Sequence, residues 1–426
     1  MKEINLRFAL ICFTALSVSL PIAVVSIAKT ALFVFCLFYL ISNYFKQGFV
    51  LSTNSLNSFT TPYAVIFISF YFYISTIWVS NTIDVNVVYS SLIKHMRIIE
   101  VIILAILIKN AKEARFAIIV FLTGQFIYLL SSWLLFLEVP IPWQRVHDVN
   151  RGNKYVVFST YLDQSIIFIT TTALYWNLRT EEFLKKWKFA PLILWLLICL
   201  SFLNVLLLLP GRTAYAIMIV LFGLFIFWSI PHKLRKVSVI LSLTATVVLF
   251  FSLYINFHPF QEGTNRIISD IRDYSNKGSV DTSAGWRLQA WNLSIKAIEK
   301  EPLVGHGVGS WTHSVKQVDE NAIFLFGNNP MSNPHQEYLL WGVELGVFGI
   351  ILLLSFFICL LRDSLKFSIN IQRSMIAVTL ATACACLFNS TLYDGLIGDY
   401  FCVILGLIFA WGIHDNKRDD KKMSYV

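Results

Sequence analysis

Arg212, Arg287 and His335 are the side chains of this chain best suited to chemistry on an anionic substrate, and each stands where an apolar run meets a polar segment. A guanidinium is permanently charged, and its planar fork can meet two anionic oxygens at once. An imidazole can take a proton from a hydroxyl or hold a substrate by hydrogen bonding near neutral pH. Leu206–Leu209 followed by Pro210 and Gly211 delivers Arg212 to the end of an apolar helix, because the Pro-Gly pair breaks helices. An arginine there could also simply snorkel to an interface. Arg287 follows Asp281-Thr282-Ser283-Ala284, where Thr282 or Ser283 can cap a helix. In that first turn Arg287 would join the positive helix N-terminus in facing an anion, or sit on the surface of an amphipathic helix whose apolar stripe is Leu288, Trp291, Ile295 and Ile298. His335 follows Asn333-Pro334 and opens the next apolar run. Asp394, in Leu392-Tyr393-Asp394-Gly395, could orient His335 or an arginine, or cap the helix that follows.

Two further segments are ambiguous. Gly305, Gly307 and Gly309 alternate after Pro302-Leu303; such glycines permit positive φ and close backbone approach, and a tight turn explains them as well as a phosphate site does. His306 and His313 have no carboxylate or cysteine nearby to complete a metal set, so no metal site is expected. The loop 138–158 carries Trp143, Arg145, His147, Arg151 and Lys154. Arg145 and Arg151 could bind phosphates, or the loop could be a solvated interfacial turn.

These residues are positioned by an apolar framework. Of 426 residues 57% are hydrophobic and only 14% charged, well below the roughly 25% usual in soluble chains. The runs are long enough to cross a bilayer, which takes about 20 apolar residues. Spans are expected near 8–28, 30–45, 62–80, 92–109, 116–137, 159–178, 189–209, 213–230, 237–257, 336–361, 374–392 and 396–413. The fold class is therefore all-α: a polytopic integral membrane protein of about twelve transmembrane helices with a large, partly helical loop. It divides into an N-terminal bundle 1–257, the loop 258–334 and C-terminal helices 335–426.

The formal charge of +9 might suggest nucleic acid, but the placement of the basic residues argues otherwise. Lys and Arg concentrate in alternate connections, at Lys109, Lys112 and Arg115, at Arg179 to Lys188, at Lys233 to Lys236, at Arg362 to Arg373, and in the C-terminal tail. This is the positive-inside pattern with both termini cytoplasmic. It puts Lys29 in a short outer loop, and it puts the loops 138–158 and 258–334 and the ends carrying Arg212 and Asp394 on the outer face. The seven cysteines all lie in apolar runs, giving neither a disulfide framework nor a zinc site.

The stretch 285–349 resembles the O-antigen ligase and polymerase-like superfamily. The resemblance rests on Gly285-Trp286-Arg287, on Pro302-Leu303 with its alternating glycines, and on His335-Gln336, nine residues, Gly346, two residues, Gly349. The family's usual Arg, three residues, Leu is met here by Arg287 with Trp291 in the leucine position. The resemblance implies a GT-C-like glycosyltransferase that moves a preassembled glycan from undecaprenyl pyrophosphate to a sugar hydroxyl of lipid A–core oligosaccharide. It also implies inversion at the anomeric carbon, without metal or cofactor, on the periplasmic face of the bacterial inner membrane. Arg212, Arg287 and His335 map onto the family's essential arginines and histidine, Asp394 onto an important acidic position, and Gln336 onto the motif residue beside the histidine. An O-antigen polymerase would use a similar donor and a second lipid-linked glycan as acceptor, and protein O-oligosaccharyltransferases are relatives. A transporter would show mid-membrane charges and repeated halves, and no halves repeat here.

Overall fold

The computed structural model describes residues 5–47, 56–144, 154–181, 184, 187–277, 282, 284–320, 325–326 and 329–423. The helices in chain order are α1 (Leu6–Ser17), α2 (Ile22–Gln47), α3 (Thr61–Ser75), α4 (Val85–His95), α5 (Glu100–Leu107), α6 (Ala111–Phe136), α7 (Tyr161–Leu178), α8 (Ala190–Leu207), α9 (Arg212–Ser229), α10 (Arg235–Asn256), α11 (His258–Lys277), α12 (Gly285–Lys300), α13 (Trp311–Val318), α14 (Glu337–Ser364), α15 (Ile369–Phe388) and α16 (Gly395–Met423). A two-residue ladder, β1 (Leu325–Phe326) with β2 (Asn329–Pro330), is the one strand pair among the described residues.

Nine of these helices are long and apolar enough to cross a membrane. The other three expected passes are built differently. α1 has 12 residues, about 18 Å of helix at 1.5 Å per residue, less than a bilayer's hydrocarbon core. It runs parallel to α6, with Arg7 paired to Glu113 at 2.7 Å at one end and Gln125 donating to Ser19 at 2.7 Å after the other. The fourth pass is α4 and α5 joined by a 3₁₀ turn, Met96–Ile99. It lies along α16 from the Arg97–Asp399 contact at 2.5 Å to His414, whose Nε2 lies 2.7 Å from the Ile108 carbonyl. α7 carries Thr170, Thr171 and Thr172 yet is almost wholly buried, so its hydroxyls meet protein rather than lipid, as in the Thr171–Tyr400 pair at 2.8 Å. Nine candidate spans therefore stand among the described residues where the sequence suggests about twelve.

One division falls elsewhere than the sequence suggests. Lys29 does not separate two spans or occupy an outer loop; α2 passes through it unbroken. Its ammonium lies 2.8 Å from Asp399 on α16, so the charge is neutralised by a partner instead of being expelled to water. The break lies at residues 18–21, where Pro21 cannot donate a hydrogen bond into a preceding turn. The C-terminal helices are not segregated from the rest. α16, whose apolar window is entirely buried, is enclosed by α5, α6 and α15.

The described residues between 258 and 334 gather at one face. There α12 rests on α14, Ile298 lying where a side chain on Gly342 would otherwise sit, and Trp311 of α13 donates to Ser294 of α12 at 2.9 Å. The side of α12 turned to the bundle is Ala290, Leu293, Ser294 and Ala297. Ile295 is exposed, and Leu288 and Trp291 face a cavity. The expected stripe is therefore rotated, because small residues allow α12 to approach its neighbours most closely.

The alternating glycines complete the lid over this face. Gly305, Gly307 and Gly309 all take positive φ, and Gly346 breaks α14 with φ 68°. The break frees two carbonyls: Val343 accepts from His306 N at 2.9 Å, and Glu344 from Gly307 N at 2.8 Å. In return Val347 N donates to the Pro302 carbonyl at 2.8 Å. Gly309 N goes to the Glu344 carboxylate at 2.9 Å. The glycine run is thus a tight turn locked into a helix break, and these amides are committed to protein acceptors.

Candidate functional site

Two cavities meet on the face that carries residues 258–334. The first, about 400 Å³, lies among α9, α10, α11 and α12 and is walled by apolar side chains such as Tyr215, Ile219, Phe250, Phe260 and Ile267, with Arg212 and Arg287 among its lining. The second, about 490 Å³, is the more polar of the two and presents Tyr161, Asp163, Trp286, Arg287, His335 and Asp394. Among the described residues Arg287 is the one that lines both.

Local sequence explains each placement. Gly211 precedes α9 and lets the Ser165 hydroxyl approach where any Cβ would clash, which seats Arg212 as the first residue of its helix. Asn389, at the end of α15, donates to Thr213 at 3.1 Å and ties that helix end to the α15–α16 turn. Thr282 accepts from Gly285 N at 3.0 Å, so the expected cap forms on Thr282; Ser283 and Asp281 lie outside the described residues. Arg287 follows in the first turn, its guanidinium 5.3 Å from the centre of the Trp286 ring.

His335 is held in the left-handed region, φ 49°, where a non-glycine residue costs roughly 1–3 kcal/mol. Its flanks over-determine that conformation. His335 N donates to Asn333 Oδ1 at 2.9 Å, and Trp291 Nε1 donates to the Pro334 carbonyl at 3.1 Å. The imidazole meets Trp286 edge to face at 5.3 Å. Asn333 also donates to Asp394 Oδ1 at 3.1 Å, so one asparagine joins the histidine and aspartate segments.

The electrostatics are those of a site short of negative charge around its arginines. No ion pair among the described residues includes Arg212 or Arg287, and Arg287 Nε is buried without a hydrogen-bond partner. Burial lowers the Arg287 pKa, and the Arg212 charge adds to this against the opposing pull of Tyr161 and Asp394. Burial, helped by the Arg287 charge, pushes His335 down to about 4, so its ring is neutral at pH 7. Burial raises Asp394 to about 6, against the stabilising charges of Lys94 and Arg97 and the Asn333 hydrogen bond.

Arg212, Arg287, His335 and Asp394 therefore come together, as the sequence suggested. Gln336 is next to them in sequence but spends its side-chain oxygen on capping α14, accepting from Leu339 N at 2.5 Å. It does not line either cavity. Arg145 and Arg151 lie outside the described residues. Sequence reasoning missed Tyr161, Asp163 and Trp286. Thr160 caps α7 by accepting from Asp163 N at 3.1 Å, and Thr-x-x-Asp before an apolar run is a recognisable helix start. That pattern could have flagged Asp163 as a carboxylate at the face in question. It also missed Arg97 and Glu337, which hold the turn bearing Asp394.

A hydrocarbon-lined cavity and a polar cavity meeting at an uncompensated arginine suit a ligand with a lipid tail, an anionic centre and a hydroxylated head. Residues 195–354 match the model of the family described as O-antigen ligase, a region that takes in Arg212, Arg287 and His335. No curated protein matches the chain.

Proposed function

From the match of residues 195–354 to the family described as O-antigen ligase and the site they help to build, we propose an enzyme that transfers a preassembled glycan from undecaprenyl pyrophosphate to a sugar hydroxyl of lipid A–core oligosaccharide. The observation that carries this reading is the position of Arg287 between the apolar and the polar cavity. The isoprenoid would occupy the apolar cavity, the pyrophosphate would lie between Arg212 and Arg287, and the first sugar would enter the polar cavity beside His335 and Asp394.

The acceptor oxygen attacks the anomeric carbon as the bond from that carbon to the phosphate oxygen breaks. The bonding electrons pass to the pyrophosphate, and the hydroxyl proton goes to His335 or Asp394. Displacement from the opposite face inverts the anomeric centre. Arg287 meets the negative charge that grows on the leaving oxygen, and a donor preorganised this way is worth about 10²–10³ in rate. Burial first and the Arg287 charge second make His335 a weak base, and only the second part responds to a bound anion. An arriving pyrophosphate offsets that charge, raises the imidazole pKa and improves the base only when donor is present.

We infer the orientation from charge. The face opposite the site carries Lys109, Lys112, Arg115, Arg179, Lys188, Lys233, Arg362, Lys366 and Arg373 in its connections and helix ends, which by the positive-inside rule is cytoplasmic. The cavities would then open on the periplasmic side of the inner membrane.

The deciding experiment is a lipopolysaccharide gel, with lipid-linked glycan assayed in parallel, from a strain deleted for the gene and complemented with wild type or His335→Ala. Loss of all glycan-capped bands with glycan accumulating on the carrier lipid is the expected result. Retention of a core-plus-one-repeat band with loss of the longer ladder would make the protein the polymerase. An unchanged gel would overturn both.

A further inference from the structure

Asp394 does not sit on a helix. It lies in the turn between α15 and α16, where Leu392 and Tyr393 are buried in the protein, so their peptide groups need protein partners. Besides the local bonds from Tyr393 N and Asp394 N to the Ser390 carbonyl, two buried side chains supply them, one to the carbonyls and one to the amides. Arg97 Nη1 donates to the carbonyls of Leu392 at 3.0 Å, Tyr393 at 3.1 Å and Asp394 at 2.9 Å. Glu337 Oε2 accepts from Leu392 N at 2.9 Å and Tyr393 N at 3.3 Å, while its Oε1 accepts from Trp341 Nε1 at 2.9 Å.

Neither side chain is free to drift. Arg97 Nε lies 2.5 Å from Asp399, which also holds Lys29. The 3₁₀ turn Met96–Ile99 interrupts the fourth pass at this residue, and Gly398 leaves the space that the guanidinium fills. Glu337 is fully buried and stands two residues after His335 on the same rigid helix start. Any movement of the turn relative to His335 must therefore break the Glu337 bonds, the Arg97 bonds or both.

We propose that Arg97 and Glu337 are positioning residues that clamp the 392–394 turn, one by its carbonyls and one by its amides, and so set the Asp394 carboxylate against His335. The inference rests on the transfer reaction proposed above. Neither residue lines either of the two cavities, so both act through the turn. Lysine at 97 keeps the charge beside Asp399 but cannot reach that carboxylate and three carbonyls at once. Glutamine at 337 turns one acceptor into a donor that opposes Trp341 Nε1 or the turn amides.

The test uses the purified full-length protein in detergent, with Arg97→Lys and Glu337→Gln read in two ways. Amide hydrogen exchange over residues 390–395 is expected to quicken in both, with exchange in α9 and α12 unchanged. Turnover with a lipid-pyrophosphate glycan and lipid A–core is expected to lose about 100-fold in kcat, the scale of a misplacement near 1 Å, at an unchanged donor KM. Unaltered exchange in either folded variant, or wild-type kcat, overturns the clamp, and should one variant fail to fold, the other acts on the turn's other peptide groups and decides. If wild type itself transfers no glycan, the functional reading fails, and the exchange measurement still decides whether the clamp exists.

Discussion

Gly263 offers a clean way to ask whether the apolar cavity holds the donor's hydrocarbon. It lies in α11 and lines that cavity, and a Cβ built on it meets no heavy atom within 4 Å. A side chain added there enters open space without disturbing a neighbour. Gly263→Leu also replaces the poorest helix former apart from proline by one of the best, which stabilises a helix interior by about 0.8–1 kcal/mol. The variant is expected to fold at least as well as wild type, so a functional defect cannot be ascribed to unfolding. The leucine side chain would displace an equal amount of ligand hydrocarbon, about four carbons. At about 0.8 kcal/mol per buried CH₂ this costs up to about 3 kcal/mol of donor binding, or roughly 200-fold at 1.4 kcal/mol per tenfold.

The assay is transfer of labelled glycan from purified lipid-pyrophosphate donor in detergent, with donor KM and kcat measured separately and a thermal melt as control. The expected result is a donor KM raised by one to two orders of magnitude, an unchanged acceptor KM, a kcat within about twofold and a melting temperature not below wild type. A folded Gly263→Leu protein with wild-type donor KM would refute the assignment of this cavity to the lipid.

The other expectations concern the charged groups and the glycine lock. Arg287→Lys keeps the charge but loses the fork, and kcat is expected to fall about 10²–10³-fold, whereas Arg212→Lys, which touches only the apolar cavity, should act mainly on donor KM; steady-state kinetics separate the two. If Asp394 must be ionised and His335 neutral, the rate in free enzyme falls as pH drops through about 6 and again near 4, and Asp394→Asn should abolish only the limb near 6. For stability, His335 is depressed from 6.5 to about 4 and its contribution is full above 6.5 and lost as pH falls through 4; Asp394 is raised from 3.8 to about 6 and its contribution is present below 3.8 and lost as pH rises through 6. Gly305→Ala places a Cβ 2.5 Å from Gly346 N at φ 66°, and a loss of about 3–5 kcal/mol is expected, read as a lowered melting temperature in detergent.

What the sequence conveys well is whatever hydropathy and helix ends encode. The nine long apolar helices, the delivery of Arg212 by Pro210-Gly211 and the cap at Thr282 are local features, and all are found near their expected places. Four sites show where local reasoning stops. Lys29 looks like a boundary until Asp399, 370 residues away, neutralises it. The span expected at 92–109 carries Lys94, Arg97 and Glu100 in its first turns, and what holds Arg97 there is its service to the carbonyls of residues 392–394. The glycine run is legible as a tight turn, but its purpose lies in the Gly346 break that receives it. Gln336, beside His335 in sequence, is turned to helix capping by the extended backbone of that one residue. In each case the deciding partner is distant along the chain or depends on a dihedral angle that no hydropathy pattern carries.

The arrangement of charge bears on how such a site could accelerate transfer instead of merely binding its donor. An interaction speeds the chemical step only when it is stronger in the transition state than in the ground state. Arg287 is depressed by burial and by Arg212, and its Nε lacks a partner, so the empty protein carries an electrostatic cost at this point. A bound pyrophosphate relieves part of that cost. In the proposed transfer the rest would be relieved as the anomeric bond breaks and charge moves to the oxygen nearest the second cavity, which Arg287 shares with His335 and Asp394. Free phosphate would satisfy the arginines and leave the apolar cavity unfilled, and a neutral lipid would do the reverse. In the proposed reaction a lipid-linked pyrophosphate bearing a sugar would fill both cavities and bring its breaking bond to the residue between them, so that substrate selection and transition-state stabilisation would fall on the same guanidinium.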